Sequence, residues 1–383
     1  MSPASPSPDA ARSDWVVMLE LHRQRWGGDL RRGQIFRQLA VRTDARVTDG
    51  WSIKSLARAI GAVSLVTRAL PLPMARPRLA TSEQLRPDML RVIRRAVSPA
   101  VVAIYDDPVA QTSSLGMTMS PARRALYTAR RADNLAAFRW HVVPSRSFAE
   151  MLEMDPATTI VAGNGTDVEH IRPGPWPDRP AIGMVSGAAP GRGIELLIDA
   201  ARALHADMRD LELWLWLVPT GPESEDYLDG LRWSTRHDGW IRIDTVSYER
   251  IGESLAKAAV LTIPHPPGAY MDVALPVKLF DSMAAGRPLV VTPRVETMAL
   301  VRRHGVGVVA GGDTVDDLAA ALRSVLVDEA VARRMGAAGR RAAEEHFDWK
   351  VAGDRIADVV LEREGLASAS EGGAALREAL IGD

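Results

Sequence analysis

Ala274-Leu-Pro-Val-Lys-Leu-Phe-Asp-Ser-Met-Ala-Ala-Gly-Arg-Pro-Leu-Val-Val-Thr-Pro293 joins a loop, a helix with a polar face, a glycine stop and a buried strand in one short run. Pro276 presets the backbone for a helix start, and Gly286 can take the left-handed position that ends it, so a helix is predicted over Val277 to Ala285. On that helix Lys278 and Asp281 share one face, while Phe280, Met283 and Ala284 lie on another that can pack. The run Pro288 to Thr292 is apolar on both faces, the mark of a parallel strand covered by helices on both sides. The stretch therefore predicts an α/β fold in which a helix sits against a doubly wound sheet and presents one cation and one carboxylate to a ligand. A plainer reading of the same pair is an exposed ion pair three residues apart, worth about 0.2–0.5 kcal/mol.

With 383 residues, 46% hydrophobic and 25% charged, the chain can bury a sizeable core and is longer than one core usually grows, so two domains are expected. The absence of cysteine excludes disulfides, thiolate catalysis and cysteine metal sites. No run approaches the ~18 apolar residues of a membrane helix, and Met1 to Pro8 lacks an apolar signal segment, so a cytoplasmic location is expected. Residues 1–13, rich in Pro, Ser and Ala, are expected to be disordered. The net charge of −1 conceals an asymmetry. Residues 1–172 hold 24 Lys+Arg against 16 Asp+Glu, net +8, and residues 173–383 hold 23 against 32, net −9. Arginines cluster in 23–42, 86–95 and 123–139. They could face an anionic membrane or a phosphate-bearing acceptor, or be the solvated helix faces of an arginine-rich protein. No nucleic-acid partner is expected.

Order is expected from Asp14, with a strand over Trp15 to Leu21 and a helix over Arg31 to Arg42. Between them Gly27 and Gly28 let backbone N–H groups approach an anion, or simply form a flexible turn; the spacing is not G-x-G-x-x-G. A strand over Arg46 to Asp49, a helix over Ser52 to Thr67 and a loop over Pro71 to Pro77 follow. Val101 to Tyr105 reads as a strand that delivers Asp106 and Asp107 at its C-terminal end, where open α/β sheets place ligands. These carboxylates are either partners of an acceptor hydroxyl or helix caps. Ser120-Pro121 opens a helix to about Ala137. A strand then carries His141, read as structural. Arg172 to Pro180, with four prolines and a glycine, is the linker. Beyond it come the strand Ala181 to Val185, the loop Ser186 to Gly193 and a helix with apolar Ile194, Leu197, Ile198, Ala201 and Leu204, an arrangement suited to phosphate. Strands follow at Leu211 to Val218, Trp240 to Thr245, Ala259 to Ile263 and Val306 to Val309. The intervening helices are Tyr248 to Ala258, Asp316 to Val327 and Glu329 to Glu345. His265 to Asp272 is expected to be a mobile loop.

Pro276, Lys278, Asp281, Met283-Ala-Ala-Gly286 and Pro288 resemble the proline, lysine, "EYMAAG" and "PVV" elements of the retaining glycosyltransferases of family 4. Gly163 to Pro173 resembles the family's "PNGVD...F.P" segment, Val185 to Ala200 its "VGxxxxxKGxxxLIxA" element with Arg192 at the lysine position, and Phe347-Asp-Trp349 its "F.W" ending. The likeness runs over residues 14–364 and is strongest over 159–350. It implies the GT-B fold: two Rossmann-like doubly wound domains, residues 14–173 on the acceptor side and 174–350 on the nucleotide side, facing across a cleft. A helix over 351–366 would cross back to the first domain, followed by a tail over 367–383. The implied reaction moves a hexosyl group from a nucleoside-diphosphate sugar to a hydroxyl with retention, without cofactor or metal, because Arg192 and Lys278 neutralise the departing diphosphate. Donor contacts would fall to Gly27, Gly28, Gly187, Arg192, Asp272, Lys278, Leu279 and Asp281, and catalytic roles to Asp106, Arg192 and Lys278. Tyr270 or His265 could touch the sugar or merely pack. The acceptor would be a sugar, a lipid-linked molecule or a small molecule, with peripheral contact to the inner membrane face through the basic first domain.

The sequence departs from the family pattern at four places. Asp281 stands where glutamate is usual, Val273 where an earlier glutamate falls, Tyr105 where a histidine often ends the strand, and Ser186 where some members carry a second basic residue. Asp272, beside Val273, could substitute for the missing carboxylate. These departures leave a competing reading open: a catalytically silent nucleotide-sugar-binding subunit that supports a partner transferase. An epimerase of the same fold would need a histidine and carboxylate set in the cleft.

Overall fold

Among the described residues twelve strands alternate with helices in a βα rhythm, and every pairing between these strands is parallel. The computed structural model describes residues 14–19, 28–50, 52–60, 76–219 and 221–366. The first sheet holds β1 (Trp15–Leu19), β2 (Arg46–Asp49), β3 (Arg78–Thr81), β4 (Ser98–Ala103), β5 (Trp140–Val143) and β6 (Thr159–Val161), in the order β2-β1-β3-β4-β5-β6. The second holds β7 (Ala181–Gly187), β8 (Glu212–Val218), β9 (Ile241–Asp244), β10 (Val260–Ile263), β11 (Leu289–Val291) and β12 (Gly307–Val309), in the order β12-β11-β10-β7-β8-β9. Strands β1, β10 and β11 are buried at every position, as parallel strands covered on both faces must be. In the second sheet the connections leave β7 toward β8 and later return to its other side as β10. The C-terminal ends of β7 and β10 therefore frame a switch-point crevice.

Several elements lie outside the reading of the sequence. β3 pairs with both β1 and β4 in the middle of the first sheet, but its four residues include an arginine and show no alternation. The helices Pro87–Ala96, Pro222–Ser234 and Val295–His304 were also not expected. Conversely, most predicted strands and helices fall within a few residues of their expected limits, including Val277–Ala284 and Pro121–Ala137.

After Trp349 the chain returns to the first domain as the helix Trp349–Glu364, which buries Trp349, Ile356, Ala357 and Val360 in the same cluster as Ile35, Phe36 and Leu39. Each such side chain contributes about 1.5–3 kcal/mol when taken fully out of water. The contact is also ionic. Arg42 donates to Asp354 at 3.2 Å and to Asp358, while Arg78 and Arg139 donate to Glu364 at 3.0 and 3.2 Å. Arginines of the basic half thus meet carboxylates of the acidic half inside the molecule, so part of the +8 and −9 asymmetry is an internal clasp and not a field directed outward. Glu364 is its centre, since its nearly buried carboxylate also accepts from Trp140 Nε1 at 2.6 Å. Glu364→Gln is expected to lower the stability measured by urea unfolding by ~1–3 kcal/mol, the range for a buried group losing its charged partner. An unchanged urea midpoint would show that the clasp adds nothing.

The two domains touch at several further places. Thr166 N donates to Phe347 O at 2.8 Å and Trp349 N donates to Thr166 O at 2.9 Å, so the two connecting segments lie side by side. The segment expected to be a mobile loop instead contains the short helix Ala269–Val273. Its Tyr270 and Met271 are buried among Val143, Phe148 and Met154 of the first domain, with the Phe148 and Tyr270 rings edge-to-face at 6.5 Å. Tyr270 N donates to Ser114 Oγ at 3.2 Å, Ser145 Oγ to Val273 O at 3.2 Å and Ser147 Oγ to Glu296 Oε1 at 2.5 Å. Two large side chains of this segment are thus buried in a neighbouring core.

Candidate functional site

The organising helix starts at Pro276, whose extended backbone turns the chain into the first helical residue, and stops at Gly286 with φ +65°. Phe280, Met283 and Ala284 are fully buried beneath it. Its other face borders an interdomain cleft of about 240 Å³ that lies above the C-terminal ends of β7 and β10. Lys278 and Asp281 both line this cleft and are bonded elsewhere rather than to each other. Lys278 Nζ donates to Ser186 Oγ at 3.3 Å, and Asp281 Oδ1 accepts from Thr166 Oγ1 at 2.8 Å. The exposed ion pair is thereby excluded.

Arg192 joins them from the glycine-rich loop. It stands between Gly191 and Gly193, both left-handed, with φ +72° and +78°. A Cβ on Gly193 would lie 1.8 Å from Pro264 O, and one on Gly191 would lie 2.9 Å from Leu115 Cα of the first domain. Backbone without side chains therefore passes between two walls there and thrusts the Arg192 guanidinium into the cleft. Its Nε is buried with no hydrogen-bond partner.

Burial governs the electrostatics of these groups. It pushes the Lys278 ammonium down to about 7, with Arg192 nearby adding to the fall. It pushes the Asp281 carboxyl up to about 7 against the opposing Thr166 hydrogen bond. The Arg192 guanidinium is also lowered by burial, opposed by Tyr270 and Asp106. His265 is 2% exposed, both of its ring nitrogens are buried without partners, and burial together with Lys278, Arg192 and Arg294 holds it neutral. Two cations and an imidazole thus converge on one space with too few acceptors among the protein groups, a state that an anionic ligand relieves.

The remaining expected residues divide. Asp106 lines the cleft and accepts from Tyr270 Oη at 3.4 Å, whereas Asp107 is a helix cap that accepts from Val109 N at 3.0 Å and pairs with Arg131 at 2.7 Å. Gly187, Tyr105 and Tyr270 also border the cleft. Asp272 does not. Arg294 Nη1 donates to its carboxylate at 3.2 Å and binds Asp313 as well. The Leu279 side chain is fully buried in the core behind the helix and can offer a ligand only its backbone. Gly28 opens the helix Gly28–Arg42, and Gly27 lies outside the described residues. His141 bonds Leu135 O through Nε2 at 3.1 Å, in keeping with a structural role. Thr166 was missed as a site residue: its segment was read only as the end of a domain, although its hydroxyl holds Asp281. Among the described residues no group of three His, Asp or Glu side chains could hold a metal ion, and no helix is long and apolar enough to cross a membrane.

Because Asp281 is ionised less readily when folded, its burial penalty is absent at low pH, grows through the range between the unfolded value and about 7, and is complete above it. Asp281→Asn keeps an acceptor for Thr166 and lacks that penalty. The ligand-free variant is expected to melt higher than the parent at pH 8 and by a clearly smaller margin at pH 5, where the penalty is only partly developed. Equal differences at both pH values would show that the carboxyl titrates normally.

Residues 179–328 match the family described as "Glycosyl transferases group 1". A GDP-mannose-dependent alpha-(1-6)-phosphatidylinositol monomannoside mannosyltransferase of Mycobacterium tuberculosis is 27% identical over 213 residues, 51% of this chain and 53% of the relative. A D-inositol 3-phosphate glycosyltransferase of Geodermatophilus obscurus is 28% identical over 297 residues, 72% of this chain and 61% of the relative. The chain thus spans between half and two thirds of the length of these relatives. Among solved structures, a sucrose-phosphate synthase of Thermosynechococcus elongatus superposes with a TM-score of 0.66 at 15% identity over 92% of this chain and 99% of that one. HepE of Anabaena, in complex with UDP and glucose, gives 0.62 at 15% identity over 91% and 99%. The architecture is GT-B: two Rossmann-like domains facing across a cleft, with the last helix crossing back to the first domain.

Proposed function

We propose that the chain is a glycosyltransferase that moves a sugar from a nucleoside-diphosphate-sugar donor to a hydroxyl acceptor, with retention at the anomeric carbon. The observation that carries the reading is the convergence of Arg192 and Lys278, from the ends of neighbouring strands, on one space beside Asp281. Two cations there neutralise the charge that develops on a departing diphosphate, so the reaction is proposed to be metal-independent. Asp281 is placed to accept from ribose hydroxyls, Ser186 holds the Lys278 ammonium in position, and Gly187 leaves room for the phosphates. Asp106, on the opposite wall, is the carboxylate nearest the acceptor side. The family matched by residues 179–328 and the named activities of the relatives support the reading.

Arg192→Ala is expected to weaken nucleoside-diphosphate binding by roughly ten- to a hundredfold, the equivalent of ~1.5–3 kcal/mol for a charge-assisted hydrogen bond, with little change in the melting temperature of the free protein. Calorimetry that finds unaltered affinity removes Arg192 from the site. Removal of Asp272 from the cleft by Arg294 supports the second reading, a nucleotide-sugar-binding subunit without turnover, because the family's earlier carboxylate then has no replacement. Donor-dependent release of free nucleoside diphosphate from the purified protein separates the two: release supports the transferase, and tight binding without release supports the silent subunit.

A further inference from the structure

His265 is held in the cleft wall by its neighbours in the chain. It follows Pro264 at the C-terminal end of β10 and precedes Pro266, which restricts its backbone to the extended region. Its carbonyl accepts from Thr292 Oγ1 at 2.6 Å, and the loop at Gly193 packs against Pro264 O. The ring lines the cleft beside Arg192 and Lys278. Lys278, Asp281 and Asp106 each have a protein partner there, in Ser186, Thr166 and Tyr270. His265 differs: although only 2% exposed, neither of its ring nitrogens has a hydrogen-bond partner among the described residues. A role in packing alone is better served by a phenyl ring, which fills a similar space without leaving two buried polar atoms unpaired.

Three cations, Lys278, Arg192 and Arg294, act on the imidazole and oppose a further positive charge. In the uncharged ring one nitrogen carries a hydrogen and donates, while the other carries a lone pair and accepts. The two point away from each other, so they meet different parts of a ligand. A diphosphate ester offers only acceptors near neutral pH; it satisfies the N–H and leaves the lone pair idle. The hydroxyls of a sugar can donate, and in a nucleotide sugar they lie next to the diphosphate that Arg192 and Lys278 attract.

We propose that His265 reads the transferred sugar: one ring nitrogen donates to the diphosphate and the other accepts from a hydroxyl of the attached sugar, so that donors bearing that hydroxyl are preferred. The role rests on the transferase reading above, since it requires a nucleotide sugar in the cleft. A buried group built to meet a hydroxyl discriminates against a ligand that lacks it, because the group is then left unpaired.

The test is calorimetry on the intact chain without acceptor. The probes are GDP, UDP, GDP-mannose, UDP-glucose and the deoxyfluoro derivatives of both sugars, in which fluorine replaces one hydroxyl and cannot donate. For the nucleotide sugar that binds, one derivative is expected to lose about threefold to tenfold in affinity, the loss of a single hydrogen bond. In His265→Phe that derivative and its parent sugar are expected to bind alike, and His265→Gln, which keeps a donor and an acceptor, is expected to recover part of the difference. The free His265→Phe protein is expected to melt no lower than the parent, because two unpaired buried atoms are removed. His265→Leu, smaller than either ring, repeats the comparison and covers the case in which Phe does not fit. Deoxyfluoro penalties of equal size in the parent and the apolar variants, or no penalty at any hydroxyl in the parent, would overturn the role. Firm nucleotide-sugar binding with equal penalties leaves the transferase reading in place, whereas failure of both nucleotides and both sugars to bind the parent removes that reading and the role with it.

Discussion

Lys278→Met is expected to reduce donor affinity by roughly ten- to a hundredfold, matching the ~1.5–3 kcal/mol of a hydrogen bond to a charged group, while the free protein remains folded. The side chain stays unbranched and one heavy atom shorter, and it loses its charge and its three N–H donors, so the loss reports on the ammonium. In the free protein burial and Arg192 hold that ammonium near about 7, whereas a diphosphate alongside it raises its pKa. Nucleotide-sugar affinity of the parent should therefore be level below pH 7. Above it the affinity falls by up to tenfold per pH unit until the bound-state pKa is reached. A nucleotide sugar has no ionisation of its own phosphates in this range, so the slope belongs to the protein. Calorimetry at pH 6 and pH 8.5, in buffers of different ionisation heat, should show proton uptake on binding in the parent at the higher pH and none in Lys278→Met. The stability effect runs the other way. A lysine lowered in the folded state burdens the fold where it is charged in both states, below pH 7, and the burden fades toward its unfolded value, so the free variant should melt higher than the parent at pH 6. An identical pH slope in both proteins would remove Lys278 from the phosphates.

Gly193→Ala is expected to be among the most damaging single methyl additions to this chain. The left-handed backbone costs about 1–2 kcal/mol for a residue with a Cβ, and overpacking against a fixed wall adds about 1–3 kcal/mol. Here the wall is the carbonyl of Pro264, at 1.8 Å from the added carbon, and Pro264 directly follows β10 and precedes His265. Neither side can yield without shifting a strand end. Urea unfolding should show a loss of ~2–5 kcal/mol, and donor binding should fall as well, because the displaced loop carries Arg192. Gly187→Ala is the control: nothing lies within 4 Å of its added methyl, so it should perturb the cleft without unfolding the loop.

The architecture was legible where hydrophobic rhythm is strong. β10, β11 and the organising helix were readable because each is bounded by proline or glycine and filled with apolar residues, and their burial is complete or nearly so. β3 was not, because four residues that include Arg78 carry no periodicity, and their strand character comes from the two neighbours that pair with them. The site was half legible for a similar reason. Lys278 and Asp281 sit on a helix, and Arg192 on a glycine-flanked turn, that local sequence fixes. By contrast, the diversion of Asp272 to Arg294 and the hold of Thr166 on Asp281 join residues 22 and 115 positions apart. No local signal distinguishes an acid in the cleft from an acid facing an arginine beside it. The docking of Tyr270 in the first domain belongs to the same class, since loop composition announces turn residues and not the core that an adjacent aromatic enters.

The paired crossings at Thr166 and Phe347–Trp349 fix how the cleft can open. Two tethers lying a hydrogen bond apart behave as a door hinge: they allow rotation about one line and resist twisting or sliding of the leaves. Points on that line keep their positions while points far from it sweep widely. Thr166 lies on the line and holds Asp281, so the Asp281 end of the cleft keeps its geometry whether the door is open or shut. The latch is elsewhere, at Ser147–Glu296, Ser114–Tyr270 and Asp106–Tyr270, and these contacts must part first. On the proposed transferase reading, such a rotation would part the side facing the acceptor and leave the nucleotide end intact, so the donor would be held before the two leaves meet and Asp106 would come into place only when they do.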